Sequence, residues 1–156
     1  MTSKQRVCHS ARPTVSEKLT KKENKTMFMR DKFFFLSNMF PCKITYNGHT
    51  FLSSESAFQA QKDISRVSEF ESLEGHAAKR LGRKVHMRPD WESVKLDIME
   101  EILRIKFSDP ELARKLKAVD EPIVEENTWH DTFWGVCDGK GENHLGRLLE
   151  KIKKDL

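Results

Sequence analysis

The sequence of 156 residues has no apolar run that approaches a bilayer span, for which about 20 consecutive apolar residues are needed. It does not open with a secretory signal pattern either. Its three cysteines, Cys8, Cys42 and Cys137, are odd in number and form no C-x-x-C pair. This spacing argues against a disulfide framework and against a structural zinc site. We therefore expect a protein of a reducing, cytoplasmic compartment that contacts no membrane.

The rest of the chain also lacks an excess of positive charge, because the basic residues are concentrated in the first 26 positions. Residues 1–26 carry seven Lys or Arg and two Glu, whereas the net charge of the whole chain is +4. Residues 27–156 therefore carry a net charge of about −1. The first 26 residues include one Leu and two Val, too few to offset the entropy of ordering. We predict a flexible basic tail over 1–26, able to make weak contacts with nucleic-acid phosphates, and one domain over 27–156.

The pattern within that domain predicts an α+β fold, a single compact and mainly helical domain with a small β-sheet. Asn47-Gly48 lies between two β-prone runs, which is a strong signal for an N-terminal hairpin. PIVEEN and TFWGV are further short strand candidates. Periodicity and capping residues predict five helices: one from about Ser53, one over 68–82, one after Pro89-Asp90, one from Asp109-Pro110 to Ala118, and one over 143–154.

Several familiar motifs are incomplete. GKGENHLGRLL has the spacing of a P-loop, but Arg147 and Leu148 replace the Lys-Ser/Thr pair that follows its second glycine. Its turn still permits an anion site at the helix that Asn143 begins, against the simpler interpretation of an ordinary loop with an Asn cap. A thiol nucleophile and a metal site are weak alternatives; their candidates are Cys137 with His130 or His144, and a set of His130, Asp131, Asp138, Glu142 and His144.

One helical stripe favours a functional site. Glu55, Gln59 and Lys62 recur at i, i+4 and i+7 in FLSSESAFQAQK, so they lie above one another on the helix that begins near Ser53. The stripe places a carboxylate, an amide and an amine together. A structural explanation is also available for Glu55, because a negative charge in the first turn of a helix is stabilised by the helix dipole.

Aromatic residues surround a second acid. NTWHDTFWGV places Trp129, Phe133 and Trp134 around Asp131. Desolvation by aromatic rings raises the pKa of a carboxyl group, and aromatic faces stack on planar bases. The alternative is an Asp in a turn beside core aromatics. Trp91 falls on the apolar stripe of its helix, where core packing is the ordinary role.

The order of these motifs resembles the NADAR superfamily, and in particular its YbiA-type N-glycosidases associated with riboflavin biosynthesis. The resemblance covers residues 33–154 and is carried by FFFLSNMFPCKITYNGHTF, SSESAFQAQK, AAKRLGRKVHMRPDWESVKLDIMEEIL, IVEENTWHDTFWG and GENHLGRLLEKI. It implies hydrolysis of the N-glycosidic bond of phosphorylated ribosylaminopyrimidine intermediates, or of a related ADP-ribosyl or NAD-derived compound, without a metal or cofactor. A non-catalytic ADP-ribose-binding module and a hydrolase of ADP-ribosylated nucleobases in nucleic acid are the alternatives.

The resemblance also assigns residues. The Glu of S-x-E-x-x-F-Q-A-x-K, the Trp of R-x-x-W and the Asp of D-x-[FY]-W-G fall on Glu55, Trp91 and Asp131, which are the implied catalytic residues. Ser56 and Met39 depart from the family pattern, which more often has His and Phe there. The implied substrate-binding residues are Asn38, Gln59, Lys62, Arg80, Trp134 and Asn143.

Overall fold

The structure is a computed structural model that describes residues 28–156, so the predicted tail lies outside the described residues. A 3₁₀ helix, Asp31–Leu36, leads into a two-stranded antiparallel hairpin made of β1 (Pro41–Tyr46) and β2 (His49–Ser53). The turn between the strands has positive φ angles at Asn47 (49°) and Gly48 (81°), which this residue pair tolerates. The predicted hairpin is confirmed.

The first α-helix, α1 (Ser54–Ala60), continues directly from β2 and lies at the centre of the fold. Ser53 caps it, because its Oγ accepts a hydrogen bond of 3.1 Å from the Ser56 backbone N–H. All seven residues of α1 are buried. Neighbouring elements therefore enclose this helix on every side, and any polar side chain it carries must be paired or must face a cavity.

The predicted helix over 68–82 is wrong in its first half. A 3₁₀ helix, Ile64–Phe70, is followed by a turn, and α2 extends only from Gly75 to Gly82. The Glu74 carboxylate accepts from the backbone N–H groups of His76 and Ala77, which fixes the start of α2 at this point. The apolar spacing over 68–82 did not reveal this break, because the N-cap that begins α2 lies in the middle of the pattern.

Helix α2 has a glycine at each of two close contacts, one with the 37–39 turn and one with a side chain of α1. A Cβ atom at Gly75 would lie 2.5 Å from Met39 Sδ, and one at Gly82 would lie 2.0 Å from Gln59 Oε1. Neither position has room for another residue unless its neighbour moves. At Gly82, α2 therefore packs directly against the Gln59 side chain of α1, and at Gly75 it packs against Met39.

The next two predicted helices are confirmed. Helix α3 (Trp91–Lys106) follows Pro89-Asp90, and α4 (Pro110–Lys117) begins after Asp109, whose carboxylate accepts from two backbone N–H groups of the first turn. The last residue of α3, Lys106, is buried, and its Nζ donates a 2.8 Å hydrogen bond to the Ser37 carbonyl. Burial lowers the pKa of Lys106 to about 8.

The strand candidates PIVEEN and TFWGV do not form strands in the structure. They meet at a single parallel bridge between Glu126 and Val136. The Asp131 carboxylate Oδ1 accepts from the backbone N–H groups of Phe133 (3.1 Å) and Trp134 (2.9 Å), so these donors are used in a turn and cannot extend a ladder. The segment is therefore a loop anchored to the final helix, α5 (His144–Asp155).

The elements form one α+β arrangement, as predicted, with one apolar core among the hairpin and the helices. Ile44 and Phe51 face one another across the hairpin and are fully buried. Within residues 28–156, no helix is both long and apolar enough to span a bilayer.

Candidate active site

A cavity of about 810 Å³ lies between the helices and the 125–134 loop. Its walls are built from α1, α2 and α3, from residues 28–30, from the turn at 37–39 and from this loop. Eight of the nine predicted site residues line it: Asn38, Glu55, Gln59, Lys62, Arg80, Trp91, Asp131 and Trp134. Asn143 is the exception.

Glu55 is the most buried acid of the cavity, with an exposed fraction of 8%. Its Oε1 accepts a 2.8 Å hydrogen bond from Gln59 Nε2, so the predicted stripe exists as a bonded pair. Burial raises the pKa of Glu55, while the bond from Gln59 and the charges of Lys79 and Lys62 act in the opposite direction. Glu55 is thus a desolvated acid held in one orientation, which is the environment typical of functional carboxyl groups.

The turn before β1 holds the start of α1 in place. The Asn38 carbonyl accepts from the Glu55 backbone N–H at 3.0 Å, and its side-chain Oδ1 accepts from Ser54 Oγ at 3.0 Å. Asn38 Nδ2 lies 3.6 Å from Met99 Sδ on α3. Because Lys106 binds the preceding carbonyl, of Ser37, this turn is fixed from both sides.

Aromatic rings form one wall. The Phe58 ring lies 4.9 Å from that of Trp91 and 5.4 Å, edge to face, from that of Trp134. Trp91 is only 4% exposed, so it belongs to the core as well as to the cavity. Lys62 Nζ lies 5.8 Å from the Trp91 ring centroid, and burial lowers the pKa of Lys62 despite the nearby charge of Glu55.

Asp131 lines the cavity and fixes the loop at the same time. Besides the two bonds accepted by its Oδ1, its backbone exchanges two hydrogen bonds with the Asn127 side chain, at 2.8 and 3.0 Å. Asn127 is buried. Hydrogen bonds therefore fix both the carboxylate and the main chain of Asp131.

A row of basic residues on α2 was missed in the sequence. His76 and Lys79 on α2, with Arg83 just beyond it, line the cavity together with Arg80. His76, Lys79 and Arg83 stand at i, i+3 and i+7, the helical spacing that made the Glu55 stripe noticeable. This periodicity was the available signal. Lys62 and Lys95 also line the cavity, so several basic side chains share it with the acids.

Glu125 is a further cavity residue that the sequence analysis missed. It lines the cavity, and within the described part of the chain its buried Oε2 has no hydrogen-bond partner. Burial, together with the charges of Asp131 and Glu55, raises the pKa of Glu125 to about 8. Nothing in PIVEEN marked this glutamate, since its desolvation depends on the elements that pack around it.

Asn143 was predicted as a helix cap or substrate contact; it occupies the N-cap position of α5 but does not line the cavity. It makes no side-chain cap bond and has a φ of 53°. Its Oδ1 accepts from the Glu125 backbone N–H at 3.0 Å, and its Nδ2 donates to the Ile123 carbonyl at 3.1 Å. Asn143 therefore ties α5 to the segment that carries Glu125.

Replacement of Asn143 by Ala is expected to lower the free energy of unfolding by about 1–3 kcal/mol, because two backbone groups lose their partners. Asn143→Asp should lose less, since it keeps the acceptor for the Glu125 N–H. Denaturant unfolding of the three proteins tests this. If Ala left stability unchanged and only raised KM, Asn143 would be a substrate contact after all.

The remaining motifs do not form sites. The backbone N–H groups of Asn143, His144 and Leu145 donate to carbonyls of the 133–135 loop, so the predicted anion site is already filled by the protein. Cys137 Sγ lies 3.9 Å from His130 Nδ1, but neither residue lines the cavity. Within residues 28–156, no three His, Cys, Asp or Glu side chains are grouped as a metal ion would need.

Comparison with known proteins defines the class. Residues 20–156 match the NADAR domain family, and the chain belongs to it. It is 36% identical to N-glycosidase YbiA of Escherichia coli over 138 residues, which are 81% of this chain and 83% of YbiA. A riboflavin biosynthesis protein of Vibrio vulnificus is 37% identical over 129 residues, 78% of this chain but only 35% of that protein.

A solved structure agrees with the fold. The NMR structure of E. coli YbiA superposes with a TM-score of 0.72 at 32% identity, covering 86% of this chain and 89% of that one. The predicted family, its YbiA branch and the α+β fold are thereby confirmed. The family match begins at residue 20, within the predicted tail, and the domain boundary at 26/27 remains a prediction.

Proposed function

We propose that this protein is an N-glycosidase that hydrolyses the bond between ribose C1′ and a base nitrogen in a phosphorylated ribosyl compound. The observation that carries the proposal is the composition of one cavity. It combines the buried acid Glu55, an aromatic wall at Trp91 and Trp134, and the basic row on α2. The names of the YbiA relatives support the same reaction.

The acid fits the developing charge of the reaction. As the C1′–N bond breaks, the ribose acquires oxocarbenium character and a positive charge near C1′. A carboxylate fixed beside that carbon stabilises the transition state more than the ground state. Glu55 is fixed by Gln59 at 2.8 Å, and we assign it to the sugar. Asp131, anchored by backbone N–H groups, is assigned to the attacking water.

The other two walls fit the remaining parts of such a substrate. Aromatic faces at Trp91 and Trp134 suit a planar leaving base. Arg80, Arg83 and Lys79 suit a phosphate, which guanidinium groups bind in a bidentate manner. Asn38, Gln59 and Lys62 then remain for the ribose hydroxyls. All of these residues line the same cavity.

Among such compounds, we propose phosphorylated ribosylaminopyrimidine intermediates of riboflavin biosynthesis as the substrate, which the name of the Vibrio relative supports. The test is incubation of the full chain, in separate reactions, with ribosylaminopyrimidine phosphates, NAD, ADP-ribose and ADP-ribosylated DNA, followed by mass spectrometry. We expect free aminopyrimidine and ribose phosphate. Binding of ADP-ribose without release of any base would instead indicate a non-catalytic binding module.

A second candidate substrate is an ADP-ribosyl N-glycoside, and one observation favours it. Trp129 lines the cavity, is 57% exposed, and has Lys79 Nζ 5.9 Å from its ring centroid. An exposed indole beside a cation at the rim is suited to stack a second base. A ribosylaminopyrimidine phosphate has no second base to place there.

Trp129→Ala separates the two candidates. Loss of a stacked base costs about 1–3 kcal/mol, so an ADP-ribosyl substrate should bind about 5–150-fold more weakly, while Trp129→Phe should keep most of its affinity. For a ribosylaminopyrimidine phosphate, we expect the same kcat/KM in all three proteins. Steady-state kinetics measure this, and thermal unfolding should not change because the side chain is exposed. A loss of kcat/KM on the smaller substrate would contradict this placement of the base.

A further inference from the structure

Glu125 lines the cavity, and its carboxyl group carries a buried oxygen without a hydrogen-bond partner among the described residues. No donor or acceptor of residues 28–156 lies within hydrogen-bond distance of its buried Oε2. Leaving a buried polar atom without a partner costs free energy, and most such atoms in folded proteins are paired. Glu125 also lies in the wall of the substrate cavity, within range of the charges of Asp131 and Glu55.

The backbone of Glu125 is rigidly held. Its N–H donates to Asn143 Oδ1 at 3.0 Å, and its carbonyl accepts from the Val136 N–H at 2.8 Å. Gly135 packs against this carbonyl so closely that a Cβ there would lie 2.2 Å from the oxygen. The side chain is therefore presented from a fixed support, as a group that acts on a substrate requires.

The surroundings of Glu125 keep it protonated. Burial raises its pKa to about 8, and the charges of Asp131 and Glu55 contribute to the increase, whereas Lys79 opposes it. At pH 7 Glu125 thus carries a proton that it can donate. Asp131 Oδ1 differs, because it is already engaged by two backbone N–H donors.

We infer that Glu125 is the general acid of the reaction, because its side chain lines the same cavity as Glu55 and Asp131 and can serve the leaving nitrogen. The inference rests on the proposed N-glycosidase function and deepens it. It separates three carboxyl roles: Glu55 faces the sugar, Asp131 the water and Glu125 the base.

The C1′–N bond breaks with both electrons going to the nitrogen, which takes the proton of Glu125 and leaves as the neutral base. Glu125 becomes a carboxylate. Water forms the new C1′–O bond, and the proton that it loses, accepted by Asp131, returns Glu125 to the acid form through solvent. The sum is one substrate and one water giving ribose phosphate and base.

Glu125→Gln tests the inference, because the amide keeps size and hydrogen-bond donors but gives up no proton. On a ribosylaminopyrimidine phosphate that the parent hydrolyses, we expect kcat to fall by about 10²–10⁴-fold with little change in KM. Since the acid form is active, the parent's kcat should fall as pH rises through about 8, and this decline should be absent from the variant.

Glu142→Gln is the matched control, since Glu142 is exposed and pairs with His144 outside the cavity. It should retain the parent's kcat and pH profile. An unchanged kcat in Glu125→Gln, or a decline near pH 8 that persists in it, would overturn the role of Glu125 while leaving the proposed function intact. A parent that hydrolyses none of the substrates overturns the proposed function itself, and with it this role.

A measurement of stability without substrate distinguishes failure of the Glu125 assignment from failure of the proposed function. The folded pKa of Glu125 lies above its ordinary value of 4.5, so its contribution to stability is present below pH 4.5 and is lost as pH rises to about 8. The unfolding constant of the parent should therefore rise more steeply with pH in this window than that of Glu125→Gln, by up to about tenfold per pH unit. Equal slopes would show that the pKa of Glu125 is not raised in the folded protein.

Discussion

Glu55→Gln is expected to lower turnover by about 10²–10³-fold, the loss typical when one preorganised electrostatic group is removed from a transition state. The amide keeps the size of Glu55, and its oxygen can still accept from Gln59 Nε2, which now lies at 2.8 Å from the carboxylate. Only the charge that faces the oxocarbenium ion disappears. Because that charge acts mainly in the transition state, kcat should fall while KM changes little.

The control for this variant is Glu111→Gln. Glu111 also lies in the first turn of a helix, α4, but it is exposed and pairs with Arg114. It experiences the same helix dipole without contact to the cavity, so its replacement should leave kcat unchanged. Steady-state kinetics on a substrate of the parent protein, with thermal unfolding alongside, compare the two variants. Full activity of Glu55→Gln would remove Glu55 from the reaction and return it to helix stabilisation.

Trp91→Ala is expected to destabilise the fold by about 3–5 kcal/mol, as large-to-small aromatic changes in cores do. The indole is 4% exposed and packs 4.9 Å from the Phe58 ring, centroid to centroid. This loss is a large part of the total stability of an ordinary domain. Trp91→Phe should keep most of the stability but lower activity, because the smaller ring offers less surface to the base.

Phe70→Leu provides the comparison for Trp91. Phe70 is fully buried but does not line the cavity, so its truncation should cost stability and leave kcat intact at temperatures where the variant is folded. Denaturant unfolding and kinetics on the same preparations separate the two effects. If Trp91→Phe lost stability and activity in the same proportion as Phe70→Leu, Trp91 would have a purely structural role.

Local signals in the sequence predicted the elements that depend on neighbouring residues alone. Asn47-Gly48 determines its turn through backbone angles, and Asp109 caps α4 through the next two N–H groups. The strand candidates failed because the Asp131 side chain takes backbone donors that a ladder would have used. Which of two partners a donor chooses is decided by the packed structure, and a short apolar run does not contain that information.

The residues of the candidate site also differ in how far the sequence predicts them. The family motifs predicted Glu55 and Asp131 as site residues, and the structure brings both to one cavity. The sequence did not predict Glu125, because its raised pKa arises from burial and from acids that are distant in sequence. Asn143 was recognised as a polar residue at a helix start, but its partners at positions 123 and 125 lie about twenty residues away along the chain.

Glycine at position 82 of α2 determines how closely this helix packs against α1. A Cβ atom there would lie 2.0 Å from Gln59 Oε1, so the spacing of the two helices at this position depends on glycine. A side chain at Gly82 would displace Gln59 and release Glu55, so this spacing cannot be relaxed without loss of the carboxylate's orientation. In the proposed function, α1 carries the acid assigned to the sugar and α2 carries basic residues assigned to the phosphate, so the packing of α2 against α1 would fix the distance between these two groups. Exchange of a rim residue such as Trp129 would then change the contacts beyond this distance and leave the packing of the two helices as it is.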